Sequence, residues 1–368
     1  MQEKKIKVWR VNIKIGTRKL EDMEEIQKQC LLKENEKEGK GYIAIGWAID
    51  TKELDTLKEY QDKLKNNNIN SDLAEKMKNE YQNLAAKIFN IKSNETNNRS
   101  SQEKNGKLDG RLGLVYASNN IFSMSKGDIC FTRTKENIYY IGRVIDDYPT
   151  YAKFDVDGVL ALEASWLRKI YWYKLGREDD VPSNIVGWFM ERRERTITQT
   201  NDVNKIKLAN SLLNEKENRH DKINKIAINQ ENYLSTLSPH MLEELVCLYL
   251  QMKLNYCIYI SSWRKTTKLF EYILVDKNTH KKAYVQTKVD AEINLKDYNI
   301  SEYDDATIFV ISGAGYKNDE HKSNIIKLNE DVNSDGVEYK KDLYEFYKNN
   351  IDLFGKGMQV EMKYYDFE

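Results

Sequence analysis

The sequence predicts two folded units, α+β in the first and α/β in the second, and three observations lead there. A chain of 368 residues is too long for one ordinary core, since a domain takes roughly 100–200 residues. Short β-rich runs dominate residues 1–200 and are broken by one helical stretch. Residues 233–368 instead run helix, hairpin, apolar strand, helix, the order of an α/β layer structure. Residues 201–232 are expected to connect the two.

The first strands are read at "KKIKVWRVNI" and "KGYIAIGWAI", which alternate or run apolar with β-formers. From Thr51 to about Lys107 the chain turns Lys/Glu/Asn-rich. Apolar residues recur at helical spacing in "LDTLKEYQDKL" and "LAEKMKNEYQNLAAKIF", which predicts a helical insertion followed by a mobile polar loop. Strands resume at "GDICFTRT" and "IYYIGRVI", with "KEN" between them as a hairpin loop. "WLRKIYWYKL" and "ERTITQT" follow, then "NDVNKIKLANSLLNE", a helix behind an Asn/Asp cap. In the second unit Ser238 is read as an N-cap with Pro239 at the first helical position, and Leu242, Leu245, Val246 and Tyr249 form the buried stripe.

Composition excludes several classes. No apolar run approaches the ~18 residues of a membrane span, and "MQEKKIKVWR" lacks the apolar core of a secretory signal, so the expected compartment is the cytoplasm. Cys30, Cys130, Cys247 and Cys257 lie far apart, as do His220, His240, His280 and His321; neither set has metal-ligand spacing. "SGAGYKND" lacks the spacing of a P-loop. The chain is formally neutral, yet residues 1–230 carry 41 Lys+Arg against 35 Asp+Glu, and residues 231–368 carry 17 against 23. If nucleic acid is met, the first unit attracts it, and the second needs a divalent cation to tolerate phosphate.

"LFEYILVDKNTHKKAYVQTK" places an acid inside one strand and "QTK" at the end of the next. With the turn centred between Asn278 and Thr279, Glu271 falls opposite Gln286 and Ile273 opposite Tyr284. Alternation then puts Glu271, Gln286 and Lys288 on one face and Asp276 on the other. Oxygen donors beside an ammonium suit a phosphodiesterase that uses Mg²⁺ or Mn²⁺. A solvated polar hairpin face accounts for the same residues without chemistry.

A helix bearing glutamate, "NYCIYISS", an acidic strand and a strand ending "VQTK" together resemble the Mrr-like branch of the PD-(D/E)XK restriction endonuclease superfamily, over about residues 236–315. That resemblance implies a restriction-endonuclease-like α/β core. In it Glu243 is the helix glutamate, with Glu244 as its competitor; Glu271 and Gln286 are metal ligands and Lys288 is the catalytic lysine. The family usually has Asp in a Gly-rich turn where this chain has Glu271 after "SSWRKTTKLFE".

"SNNIFSMSKGDICFTRTKENIYYIGRVIDDYPTY" resembles the EVE-type, PUA-like domains through Asn119, Met124, Gly127, Asp128, Gly142 and Tyr148. This likeness spans about residues 5–200 and implies a closed, twisted β-barrel with a helical insertion that holds a flipped or modified base. Trp9, Trp47 and Trp172 are the expected pocket walls, and Arg10 and Asn119 the readers of the base edge. Trp166, Trp188 and Trp263 are assigned to packing. Together the two resemblances imply a modification-dependent DNA endonuclease of antiviral restriction, acting on double-stranded, modified phage DNA as a homodimer. The alternatives are a catalytically silent nucleic-acid sensor or a subunit of a multiprotein defence system, with RNA as a possible target.

Overall fold

The computed structural model describes residues 6–13, 20–33 (backbone only over 20–23), 35–46, 48–49, 54–66, 71–88, 118–190, 196–259, 269–298, 303, 305–319, 323–333 and 335–368. The chain divides into two compact units. Unit 1 is Met1–Glu178 with Glu191–Ile223, and unit 2 is Asp179–Met190 with Asn224–Glu368.

Unit 1 is built on strands β1 (Val8–Val11), β2 (Glu38–Ile45), β3 (Ile129–Arg133), β4 (Tyr139–Val144), β5 (Thr150–Tyr151), β6 (Trp166–Gly176) and β7 (Ile197–Thr200). They form one sheet in the order β2-β6-β4-β3-β1-β7, with β5 also paired to β6. The expected barrel does not close among the described residues. Closure needs a hydrogen-bonded seam between β2 and β7, but β2 bonds β6 and β7 bonds β1. Helices take over the covering role. Ile26 of α1 (Leu20–Cys30), Leu57 of α2 (Asp55–Asn66) and Met77 and Tyr81 of α3 (Ser71–Ile88) join the core cluster of the sheet. The helical insertion therefore buries an apolar stripe against the strands. The loop expected to follow it, over 89–107, lies outside the described residues.

The short helix α4 (Gly158–Glu163) precedes β6, and α5 (Ser183–Met190) leaves unit 1 for unit 2. α6 (Val203–Lys216), expected as a connector, is part of unit 1. Its N-cap is Asp202, whose carboxylate accepts from the Asn204 and Lys205 amides. Past its C-terminus, Glu217 holds Arg143 of β4 in a two-pronged pair at 2.8 and 3.0 Å.

Unit 2 carries a five-stranded sheet in the order β15-β13-β11-β10-β9, from β9 (Tyr256–Ile258), β10 (Tyr272–Asp276), β11 (Lys282–Lys288), β13 (Thr307–Ser312) and β15 (Ile325–Lys327). β11, β13 and β15 run parallel, whereas β9, β10 and β11 pair antiparallel. Two small pairs complete the strands, β8 (Ile226–Ile228) with β16 (Tyr365–Phe367) and β12 (Ile293–Asn294) with β14 (Tyr316–Lys317). α7 (Pro239–Lys253) begins as the sequence predicts, with Ser238 Oγ accepting from the Met241 amide and Pro239 in the first turn. Its predicted stripe is fully buried and the helix packs against β9 and β11. α8 (Tyr339–Asn349) ties to it where the Tyr249 hydroxyl donates to Asp342 at 2.9 Å. α9 (Lys356–Met362) holds α5 through buried Glu361, whose carboxylate accepts from the Asn184 amide at 2.8 Å. No described helix is long and apolar enough to cross a membrane.

Candidate functional site

The β10–β11 hairpin has the expected register, with Tyr272 opposite Val285 and Ile273 opposite Tyr284. Beyond that pair the Glu271 amide bonds the Val285 carbonyl at 2.9 Å, one residue off the ladder's register, so Glu271 and Tyr272 both face Val285, as in a β-bulge. One carboxylate oxygen, Glu271 Oε1, receives both neighbours: Gln286 Nε2 donates at 2.8 Å and Lys288 Nζ at 3.0 Å. Burial differs sharply within the trio. Gln286 is 3% exposed, while the side chains of Glu271 and Lys288 are 24% and 45% exposed. The site is thus a buried amide with an ion pair at the surface above it, at the carboxyl end of β11.

Energetics separates two readings. An ion pair this exposed contributes about 0.2–1 kcal/mol, which is too little to explain a buried glutamine where Val or Ile would pack. The amide must be satisfied once buried. Its Nε2 also donates to the Thr287 carbonyl at 3.1 Å, so the NH₂ group lies between two oxygen acceptors, Glu271 Oε1 and Thr287 O.

That arrangement bears on metal binding. Among the described residues no three His, Cys, Asp or Glu side chains form a metal-holding group. Magnesium needs less than that from protein, because it is commonly held by one or two carboxylates while water and substrate phosphate complete its shell. Glu271 Oε2 and Gln286 Oε1 accept no hydrogen bond among the described residues. The donor set fits a hard cation: Glu271 would hold it through carboxylate oxygen, and Gln286 through its amide oxygen after rotation about the last torsion.

Helix α7 supplies the glutamate question. Glu244 Oε1 accepts from the Gly355 amide at 2.8 Å, the residue that opens α9, so its carboxylate has structural work. Among the described residues the Glu243 carboxylate has one charged neighbour, His240 Nδ1 at 3.8 Å. No hydrogen bond or ion pair joins it to Glu271, Gln286 or Lys288. The backbone of Glu243 is fixed to the strand beside Glu271, because the Tyr272 hydroxyl donates to its carbonyl at 3.1 Å. Burial pushes the Tyr272 phenol well up, which keeps that donor protonated. Asp276, the other acid of the hairpin, caps the turn: Oδ1 accepts from the Asn278 and Thr279 amides at 2.7 and 2.9 Å.

The expected base pocket of unit 1 is not assembled among the described residues. Trp9 is 2% exposed and donates its indole N–H to Asp128 at 2.9 Å. Asp128 also accepts from the Lys7 and Ser125 amides, so the Gly-Asp turn is a hub that fastens β1 to the start of β3. Trp172 is fully buried in a slot left by Gly41 of β2 and Gly142 of β4, and a Cβ at Gly41 would fall 2.8 Å from its indole. A Cβ at Gly142 would fall 2.6 Å from the indole, so the small neighbours make the indole a core filler inaccessible to solvent. Arg10 is also buried, on β1, with Thr198 Oγ1 at 3.5 Å. Asn119 Oδ1 accepts from Gln82 of α3 at 2.9 Å. Trp47 and Trp263 lie outside the described residues; Trp166 and Trp188 are buried, as assigned.

Sequence reasoning missed the Thr287 carbonyl, because a backbone atom leaves no residue-type signal. It also missed Arg168, fully buried, whose Nε lies 3.0 Å from Asp146 Oδ1. Burial pushes the Asp146 carboxyl up against the pull of Arg168. Compared with protein-family models, curated proteins and solved structures, the chain matches none.

Proposed function

We propose that this protein is a Mg²⁺- or Mn²⁺-dependent endonuclease in which unit 2 cuts DNA and unit 1 engages a modified base. The observation that carries the reading is the convergence of Gln286 and Lys288 on a single oxygen of Glu271. Its support is chemical. A carboxylate and an amide oxygen suit a hard cation, which supplies charge neutralisation at phosphorus and a more acidic water. Lys288, with an exposed ammonium on the same face, orients the attacking water or stabilises charge on the phosphate in the transition state. Glu271 holds that ammonium in place before substrate arrives. Cutting both strands takes two copies of unit 2, which a homodimer provides.

A second reading has its own observation: Gln286 turns its NH₂ group, not its oxygen, toward Glu271. In that arrangement the amide stands where a cation would be shared, as in a nuclease fold that binds nucleic acid without cutting it. One experiment separates the two. The full chain is incubated with Mg²⁺ or Mn²⁺ and unmodified, methylated or glucosyl-hydroxymethylated DNA, with matched RNA beside them. Product from modified DNA alone supports the endonuclease; retention of DNA without product in either metal supports the silent binder.

A further inference from the structure

The five-stranded sheet of unit 2 ends in β15 on one side and β9 on the other, and the two edges are finished differently. At β15 the chain closes its own edge: the Lys327 amide donates to Asp331 Oδ2 at 2.7 Å, and the Lys327 carbonyl accepts from the Glu330 and Asp331 amides at 3.0 and 2.8 Å. β9 has no such cover among the described residues. Bonds from the Tyr259 amide to the Ile273 carbonyl and from the Lys277 amide to the Asn255 carbonyl, 2.9 and 3.1 Å, extend its ladder with β10 over residues 255–259. Backbone groups alternate along an antiparallel strand, so Asn255, Cys257 and Tyr259 turn theirs to β10 while Tyr256 and Ile258 turn theirs outward. β9 pairs with β10 alone, which leaves the outward N–H and C=O of Tyr256 and Ile258 without a protein partner among the described residues.

An open edge is a template for another strand, and proteins ordinarily blunt it with charge, proline or a bulge. Residues 255–259 include no charged residue and no proline, and their register with β10 is unbroken. Cys257 is exposed on this edge, and so is Tyr259, at 55%.

We propose that this edge pairs with the same edge of a second copy of the chain, antiparallel and centred on Cys257. The strand is its own complement in that register. Tyr256 and Ile258 of one copy meet Ile258 and Tyr256 of the other, which forms four backbone hydrogen bonds and sets an aromatic ring beside a β-branched side chain. Cys257 meets its own counterpart at a position without backbone bonds, and no like charges are brought together. Two five-stranded sheets become one continuous sheet. The two-fold axis of an antiparallel pair stands perpendicular to the sheet, so both trios of Glu271, Gln286 and Lys288 lie on the same side of it, as two cuts in one duplex require. The choice of a second copy as the occupant rests on the endonuclease reading, which takes two copies of unit 2.

The test reads association of the full chain. Cα atoms of a pair without backbone bonds lie about 4.5 Å apart, within the roughly 4.4–6.8 Å that a disulfide spans, and Cys30, Cys130 and Cys247 are buried. Copper–phenanthroline oxidation, which takes two electrons and two protons from a thiol pair, should therefore link wild type into a dimer, and Cys257→Ser should abolish the link. Light scattering should find wild type and Cys257→Ser equally dimeric. Ile258→Pro removes an outward N–H and leaves the bonds to β10 in place; it should raise the dimer dissociation constant at least about tenfold, because symmetry deletes the bond twice. Cys257→Lys sets like charges opposite each other and should do the same; it decides alone if Ile258→Pro does not fold. Association is read without a cleavage assay, so loss of this interface and loss of the endonuclease reading are separate outcomes. The proposal is overturned if wild type is monomeric in concentrated solution, if a dimeric wild type gives no link through Cys257, or if the folded variants stay as dimeric as wild type.

Discussion

Trp172 of unit 1 and Gln286 of unit 2 are both buried on central strands, at 0% and 3% exposure, yet they occupy opposite kinds of place. Trp172 fills a slot that glycines on both neighbouring strands leave open, and its indole N–H has no hydrogen-bond partner among the described residues. Gln286 satisfies its amide nitrogen on Glu271 and Thr287, directly beneath an exposed ion pair. Burial alone does not distinguish packing from chemistry. The neighbours do: apolar contact and small partners mark the first, convergent polar atoms reaching the surface mark the second.

Substitutions break this comparison if they exchange the two behaviours. The largest effect expected on stability is Trp172→Ala, at about 3–5 kcal/mol, the usual cost of emptying a large aromatic site, read from chemical denaturation. Nucleic-acid binding lost at unchanged stability would instead make Trp172 a contact residue. Gln286→Val should change stability by less than about 1.5 kcal/mol, because an apolar residue replaces an amide whose bonds are individually modest. Its cleavage rate should nevertheless fall at least tenfold. Smaller again is Glu244→Gln, which weakens the bond to the Gly355 amide by about 1 kcal/mol and leaves cleavage intact, whereas Glu243→Gln should lower cleavage without that stability loss.

The smallest effect is a pH dependence. The Thr279 and Asn278 amides hold the Asp276 carboxyl below its ordinary 3.8. A carboxyl with a lower pKa folded than unfolded adds stability above the unfolded value and loses it as pH falls through the folded one. The group is partly exposed, so the gain is small. Denaturation midpoints measured from pH 5 down to pH 2 should therefore decline less steeply in Asp276→Asn than in wild type; equal slopes would remove Asp276 from the acid response.

How much was legible in the sequence follows from distance along the chain. The hairpin register spans few residues, so turn position and alternation determine it, and they bring Glu271 to Gln286 and Lys288 without knowledge of the rest of the sheet. Ser238 capping and the Leu242–Tyr249 stripe are equally local. The tryptophans of unit 1 depend on strands far apart in sequence: Gly41 and Gly142 must be placed beside Trp172 before it can be recognised as core. The open sheet has the same origin, since α2 and α3 signal their helicity through apolar spacing but not the face they cover. Neither the division of labour between Glu243 and Glu244 nor the Thr287 carbonyl has a local pattern.

The central claim is that Glu271, Gln286 and Lys288 share a face for chemistry. Its most direct test measures two quantities on Lys288→Ala beside wild type, unfolding free energy and the metal-dependent cleavage rate on the DNA that wild type cuts. The account predicts a stability change below about 1 kcal/mol, as for an exposed ion pair, together with at least a hundredfold loss of cleavage, as when a transition-state donor is removed. Cleavage undiminished in Lys288→Ala would contradict it and return the hairpin to an ordinary solvated polar face.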